Sequence, residues 1–116
     1  MYIFRDEDEI KKRGAEICLA DLRLDPVTRT LWRNNKAISL ASKECSLLIF
    51  FMHHPNQTLS QIMISAHVWG AVKSSEDTVN FYVNSLRKKI DTIPDEKLIY
   101  TVRGVGYLFQ IREMNQ

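Results

Sequence analysis

The stretch from Ser74 to Phe109, SSEDTVNFYVNSLRKKIDTIPDEKLIYTVRGVGYLF, decides the fold. Its first half predicts an amphipathic helix, because apolar residues recur at helical spacing. This apolar stripe consists of Val79, Tyr82 or Val83, Leu86 and Ile90. Two short β-type runs follow, joined through Arg103-Gly104-Val105-Gly106. Because such a helix fits the major groove of B-DNA and a tight hairpin can carry an arginine into the minor groove, the stretch predicts a helix and a wing that bind DNA.

The predicted helix has a capped start, a polar exposed face and a basic end. Ser74 lies three residues before Asp77, in a variant of the capping box. The exposed face carries amides, an aromatic ring, a hydroxyl and cations that can contact bases and phosphates: Asn80, Phe81, Asn84, Ser85, Arg87 and Lys88. The cations 87–89 also have a structural explanation, because the helix macrodipole favours positive charge at the C-terminus by up to about 1 kcal/mol.

The N-terminal part predicts a small antiparallel sheet. Three β-type runs, 17–24, 30–32 and 37–40, contain alternating apolar residues. The turn dipeptides Asp25-Pro26 and Asn34-Asn35 separate them. The apolar side of this meander needs a packing partner, which the following segment supplies.

Two further helices are expected between the sheet and the decisive stretch. Apolar residues from Cys45 to Met52 recur at helical spacing until His53-His54-Pro55 ends the helix. Ser60 is a suitable N-cap for a second helix, and Gly70 lies where a C′ glycine belongs.

Length and composition indicate one domain. The chain has 116 residues, 45% of them hydrophobic, so a single core is expected within 1–116. Residues 17–112 form the expected core region, and 1–16 an N-terminal extension or edge strand. The longest apolar run, Leu47 to Met52, cannot span a bilayer, and no secretory pattern opens the chain, so we expect a soluble, cytoplasmic protein. Cys18 and Cys45 lack metal-ligand spacing and are expected to be reduced.

Three motifs carry a family resemblance: His67-Val68-Trp69-Gly70, the helix 78–90 and the hairpin 100–109. In content and order they resemble the OmpR/PhoB-type winged-helix effector domain. The resemblance implies an α+β fold: an N-terminal antiparallel sheet, three helices with the third as recognition helix, and a C-terminal β-hairpin wing. A ToxR/CadC-like regulator, in which this domain comes first, is an alternative setting. The chain is then either a stand-alone regulator or the cytoplasmic end of a longer, membrane-anchored protein.

The resemblance also implies roles for individual positions on the third helix. Phe81, Asn84 and Ser85 match positions that face bases, and Arg87, joined by Lys88, matches a position near phosphates. Asn84 can pair bidentately with an adenine edge. Phe81 can lie on a thymine methyl, or it packs into the protein instead.

The wing residues follow in the same way. Thr101 matches a position close to the DNA backbone, and Arg103 matches a minor-groove position that favours A·T-rich tracts. Alternatively, Arg103 makes no DNA contact and is only a solvent-exposed polar residue at the hairpin tip. Tyr107 and Trp69 are expected to be core residues rather than DNA contacts.

Three departures from the family pattern qualify these expectations. Relatives often carry arginines where this chain has Asn84 and Ser85. Ala41-Ser42-Lys43-Glu44 stands where relatives commonly show Thr-Pro-x-Glu, so the cap of the first helix is expected to shift to Ser42. The loop 71–75, which in the family can contact RNA polymerase, is shorter than usual.

The expected function is sequence-specific binding of double-stranded, A·T-rich promoter DNA by a bacterial-type transcriptional regulator. RNA polymerase and a second copy in tandem on DNA are the further partners that the family implies. No cofactor, metal or small-molecule substrate is expected. Catalysis is not expected either, because His53 and His54 are adjacent and His67 lacks a partner at ligand spacing. A net charge of only +2 and the missing arginines also fit a degenerate winged helix that binds protein.

Overall fold

The computed structural model describes residues 16–70, 75–92 and 96–111. The predicted N-terminal extension lies almost wholly outside these residues, as does Ser74. The described strands are β1 (Ile17–Leu19), β2 (Leu22–Asp25), β3 (Thr30–Arg33), β4 (Lys36–Ser39), β5 (Thr58–Ser60), β6 (Ile99–Val102) and β7 (Gly106–Phe109). The described helices are α1 (Ser42–His53), α2 (Gln61–Trp69) and α3 (Glu76–Ile90).

The N-terminal sheet is antiparallel, with four strands in the order β1-β2-β3-β4. The prediction of three strands was wrong, because the run 17–24 folds back on itself at Ala20, which has a φ of 54°. Leu19 therefore pairs with Leu22 across a tight turn. The turn at Asp25 is confirmed, since its Oδ1 accepts a hydrogen bond from Val27 N at 2.9 Å.

Asn34 and Asn35 form the predicted turn between β3 and β4. Both have positive φ values, 54° and 64°, as a two-residue type I′ hairpin requires. Asparagine tolerates this region better than most residues, so the dipeptide sets the register of the hairpin.

The start of α1 differs from the prediction. Ala41, not Ser42, is the N-cap residue, and Ser42 is the first residue of the helix. Glu44 Oε1 accepts a hydrogen bond from Ala41 N at 2.8 Å. The glutamate thus supplies its half of a capping box, although the alanine side chain cannot supply the other half.

The other two helices begin at serine caps. Ser60 Oγ accepts a hydrogen bond from Met63 N at 3.1 Å, which confirms the predicted cap of α2. For α3 the cap is Ser75, whose Oγ accepts a hydrogen bond from Thr78 N at 3.1 Å, and not Ser74 as predicted. Gly70 ends α2 with a φ of 67°.

A second sheet, in the order β5-β7-β6, contains the predicted hairpin and one strand that the sequence analysis missed. That strand, β5, pairs with β7 in antiparallel fashion and leads directly into α2. The sheet therefore joins the wing to the base of the second helix.

One continuous apolar cluster lies between the two sheets and the three helices. Its fully buried members include Leu24, Leu47, Phe51, Leu86 and Phe109, which come from four different elements. Among the described residues, no helix is long and apolar enough to cross a membrane.

Candidate nucleic-acid interface

One face of α3 is buried in the core and the opposite face is open. Val79, Val83, Leu86 and Ile90 are buried, so Val83 rather than Tyr82 completes the predicted stripe. Tyr82 is half-buried, and the centre of its ring lies 5.6 Å from the centre of the Trp69 ring. Phe81 is 65% exposed, which contradicts the alternative that it packs into the protein.

Asn80 belongs to a polar cluster between three elements. Its Oδ1 accepts hydrogen bonds from the hydroxyl of Tyr107 on β7 and from Gln61 Nε2 on α2, the latter at 2.9 Å. Tyr107 is buried, as predicted, and this burial raises the pKa of its phenol despite the nearby charge of Arg87. The cluster fixes the wing against the two helices and leaves Asn80 only partly open to a ligand.

Ser85 is directed toward α1. Its hydroxyl donates a hydrogen bond to Glu44 Oε2, while Lys89 Nζ donates to Glu44 Oε1 at 2.7 Å and to the carbonyl oxygen of Ser39 at 3.1 Å. The family resemblance implied that Ser85 faces the bases, Lys89 was explained only by the favourable charge at a helix C-terminus, and no link from Glu44 to the third helix was expected. In the structure these three side chains anchor α3 to α1.

The pKa of Glu44 is set by opposing effects. Burial alone raises the pKa of this carboxyl, but hydrogen bonds from Lys89, Ser85 and Ala41 N stabilise the carboxylate and hold the pKa below its usual value. Because the folded pKa is depressed, the resulting stabilisation is present above the ordinary glutamate pKa of about 4.3 and is lost as the pH falls through the folded value.

Glu44→Gln is therefore expected to lower the free energy of unfolding at pH 7 by about 1.5 to 3 kcal/mol, the usual contribution of hydrogen bonds to a charged group. The difference from wild type should shrink as the pH falls below about 4.3, where the carboxylate is protonated in the unfolded chain. Urea unfolding of both proteins between pH 7 and pH 3 measures this. A difference that is independent of pH would contradict the charged role of Glu44.

Arg87 joins the exposed face of α3 to the wing. Its Nη2 donates hydrogen bonds to Asn84 Oδ1 at 3.0 Å and to Thr101 Oγ1 on β6 at 3.1 Å. Its guanidinium carbon lies 5.6 Å from the centre of the Tyr107 ring. Asn84 and Arg87 of the third helix and Thr101 of the wing thus form one contact group, beside which Lys88 is exposed.

The wing turn projects Arg103 away from the core. Val105 N donates to the carbonyl oxygen of Val102 at 2.9 Å, and Gly104 has a φ of 75°. Arg103 is exposed at this turn. A cleft of about 430 Å³ separates the wing from the start of α3, and Arg103, Asn80 and Glu76 are among the residues that line it.

A second cleft, of about 390 Å³, opens at the C-terminal half of α3. Asn84, Arg87, Lys88, Asp91 and Lys97 line it. Lys97 was missed by the sequence analysis, because it precedes β6 and nothing in the local pattern brings it to α3. Three cations around one cleft provide a positive surface suited to phosphate groups. Within the described ranges, no group of three His, Cys, Asp or Glu side chains could hold a metal ion.

The fold and these surfaces define a winged-helix domain, and comparisons with known proteins agree. Residues 35–109 match the family model described as "Transcriptional regulatory protein, C terminal". The chain therefore belongs to this family of OmpR/PhoB-type domains.

Individual relatives support the same assignment. The chain is 38% identical over 107 residues to the transcriptional regulatory protein CusR of Escherichia coli K12, covering 86% of this chain and 47% of CusR. It thus spans about half the length of the curated relatives it matches. The DNA-binding domain of E. coli CadC superposes with a TM-score of 0.75 at 25% identity, covering 81% of this chain and 90% of that domain.

A third similar structure is the DNA-binding domain of Klebsiella pneumoniae RstA in complex with the RstA box. It superposes with a TM-score of 0.71 at 25% identity, covering 83% of this chain and 97% of that domain.

Proposed function

We propose that this chain binds double-stranded DNA sequence-specifically, as the DNA-binding part of a bacterial-type transcriptional regulator. The Arg87 to Thr101 hydrogen bond carries the proposal, because it makes the exposed face of α3 continuous with the wing. In this mode α3 enters the major groove with Phe81 and Asn84, while Arg103 enters the adjacent minor groove. The RstA domain in complex with its box and the regulatory relatives support the proposal.

The cations of α3 and the wing define the phosphate contacts in this proposal. Arg87, Lys88 and Lys97 surround one cleft, and Thr101 lies beside Arg87 as a backbone contact. Ser85 and Asn80 act mainly by holding α3, since both side chains engage other parts of the protein. Promoter DNA, RNA polymerase and a second copy in tandem are the partners proposed for the regulator in the cytoplasm. The proposal includes no catalytic role.

Retention on duplex DNA at rising salt concentration tests the proposal. Each phosphate neutralised by a cation contributes about −0.9 to the slope of log affinity against log salt. With three cations at the cleft, a slope of about −3 is expected. Absence of salt-dependent retention would instead favour a domain that binds another protein. The low net charge and the exposed side chain of Phe81 are consistent with that alternative.

Arg103→Ala is expected to reduce the preference for an A·T tract beside the major-groove site. A guanidinium is attracted to the more negative potential of a narrow minor groove, and Arg103 is exposed at the wing turn. Titration on two duplexes that differ only in the flanking tract measures this preference. Arg103→Lys should restore it in part, because the ammonium group is more strongly hydrated.

Arg23→Ala serves as a matched control for this prediction, because Arg23 lies on β2 of the N-terminal sheet. The control should keep the wild-type ratio of affinities for the two duplexes. The ratio and the melting temperature together separate a wing contact from loss of folding. An unchanged ratio in Arg103→Ala would remove Arg103 from the recognition mechanism.

A further inference from the structure

The orientation of the Asn84 amide is determined by Arg87. A guanidinium group has only hydrogen-bond donors, so the group that faces Arg87 Nη2 at 3.0 Å must be the amide oxygen of Asn84. The amide nitrogen, with its two N–H groups, therefore lies on the other side of the side chain, which is exposed. No described residue accepts a hydrogen bond from this nitrogen.

Arg87 is itself held in place by two neighbours besides Asn84. It donates to Thr101 Oγ1 at 3.1 Å, and its guanidinium carbon lies 5.6 Å from the Tyr107 ring centre. Arg87 is half-buried, so these contacts limit its rotamers more than those of an exposed arginine. The side chain of Asn84 is consequently pre-oriented by a residue that is tied to the wing.

The surface around Asn84 is rich in donors. It presents the N–H groups of the amide nitrogen and the remaining N–H groups of Arg87, and one acceptor position of the Asn84 oxygen is already occupied. In the major groove guanine presents two acceptors, N7 and O6, whereas adenine presents one acceptor and the N6 amino donor. An adenine amino group would have to share the Asn84 oxygen with Arg87 and would lie next to a cation.

We propose that Asn84, oriented by Arg87, selects guanine rather than adenine in the major groove. The amide nitrogen of Asn84 donates to guanine O6 or N7, and Arg87 acts as a positioning residue in addition to its charge. This differs from the bidentate adenine pair expected from the sequence alone, in which the Asn84 oxygen was free. The inference rests on the proposed DNA binding by α3.

The experiment begins with selection of bound duplexes from a random-sequence library by the wild-type chain. The base pair that Asn84 contacts is identified as the one at which the Asn84→Ala variant no longer discriminates between bases. Wild type is then titrated on the selected duplex, on one with adenine in place of guanine at that position, and on one with 7-deazaguanine, which lacks N7. We expect about tenfold weaker binding to the adenine duplex, and little discrimination by Asn84→Ala.

Arg87→Lys tests the positioning role, because lysine keeps the positive charge but lacks the planar fork that contacts Asn84 and Thr101 together. We expect the guanine-to-adenine affinity ratio to fall to about twofold. Arg23→Lys, on β2, is the matched control and should retain the wild-type ratio.

Two results would overturn this inference while leaving DNA binding intact. The first is an adenine at the position that Asn84→Ala affects, and the second is an unchanged base ratio in Arg87→Lys. A wild-type chain that selects no sequence and shows no salt-dependent retention would instead overturn the proposed function, and this inference with it.

Discussion

Gly106→Ala is expected to lower the free energy of unfolding by about 3 kcal/mol or more, at the upper end of the cost of overpacking. A Cβ atom at this position would lie 1.9 Å from the carbonyl oxygen of Leu59 and 2.9 Å from the Cα of Ser60. Both are backbone atoms of β5, so no side-chain rotation can relieve the overlap. Strand β7 would have to separate from β5, which holds the wing against the start of α2.

Gly104→Ala, in the same hairpin, is the matched control for Gly106→Ala. Gly104 has a φ of 75° and nothing within 4 Å of an added Cβ, so only backbone strain of about 1 kcal/mol is expected. Urea unfolding at constant pH compares the two variants with wild type. If Gly106→Ala were no less stable than Gly104→Ala, the close approach of β5 and β7 would be wrong.

Local signals explain which parts of the fold the sequence predicts correctly. Asn34-Asn35 supports positive φ, and the apolar period of α3 places its buried face, so both were predicted. The fold-back at Ala20 has no such signal, because alanine is not a turn residue. Strand β5 has only three residues, and its partner β7 lies nearly fifty positions away in sequence. The capping-box spacing to Asp77 favoured Ser74 over the adjacent Ser75, but Ser75 is the cap of α3.

The candidate site shows the same division between local and distant information. Helical periodicity alone places Phe81, Asn84 and Lys88 on the exposed face. The partners of Ser85 and Arg87 could not be predicted, because Glu44 and Thr101 lie 41 and 14 residues away along the chain. Those distant contacts decide which polar side chains on α3 are available to a ligand and how they are oriented.

A buried arginine provides a further connection between residues distant in sequence. Arg33, on β3, is 6% exposed and donates hydrogen bonds to the carbonyl oxygens of Ile90 and Glu96. Its Nη1 also lies 3.7 Å from Asp91 Oδ1, and the Asp91 carboxylate accepts hydrogen bonds from the backbone N–H groups of residues 98 and 99 at 2.9 and 3.0 Å. Arg33 and Asp91 therefore fix the end of α3 to the start of β6, the two elements that Arg87 joins nearer to the proposed DNA-binding face.

Arg33→Met is expected to lower the free energy of unfolding by about 3 to 5 kcal/mol, because removing one partner of a buried ion pair leaves the other charge buried and uncompensated. The Asp91 side chain, 2% exposed, would keep only its backbone donors. Arg23→Met is the matched control: Arg23 forms an ion pair with Glu16 at 3.2 Å, but the arginine side chain is 48% exposed, so a loss below about 1 kcal/mol is expected. Urea unfolding measures both variants, and equal losses would contradict the structural role of Arg33.

The hydrogen bonds and the ion pair of Arg33 fix the end of α3 relative to the start of β6. Arg33→Met should therefore also lower the affinity for DNA, measured under conditions where the variant remains folded, because these two elements would no longer be held in one relative position.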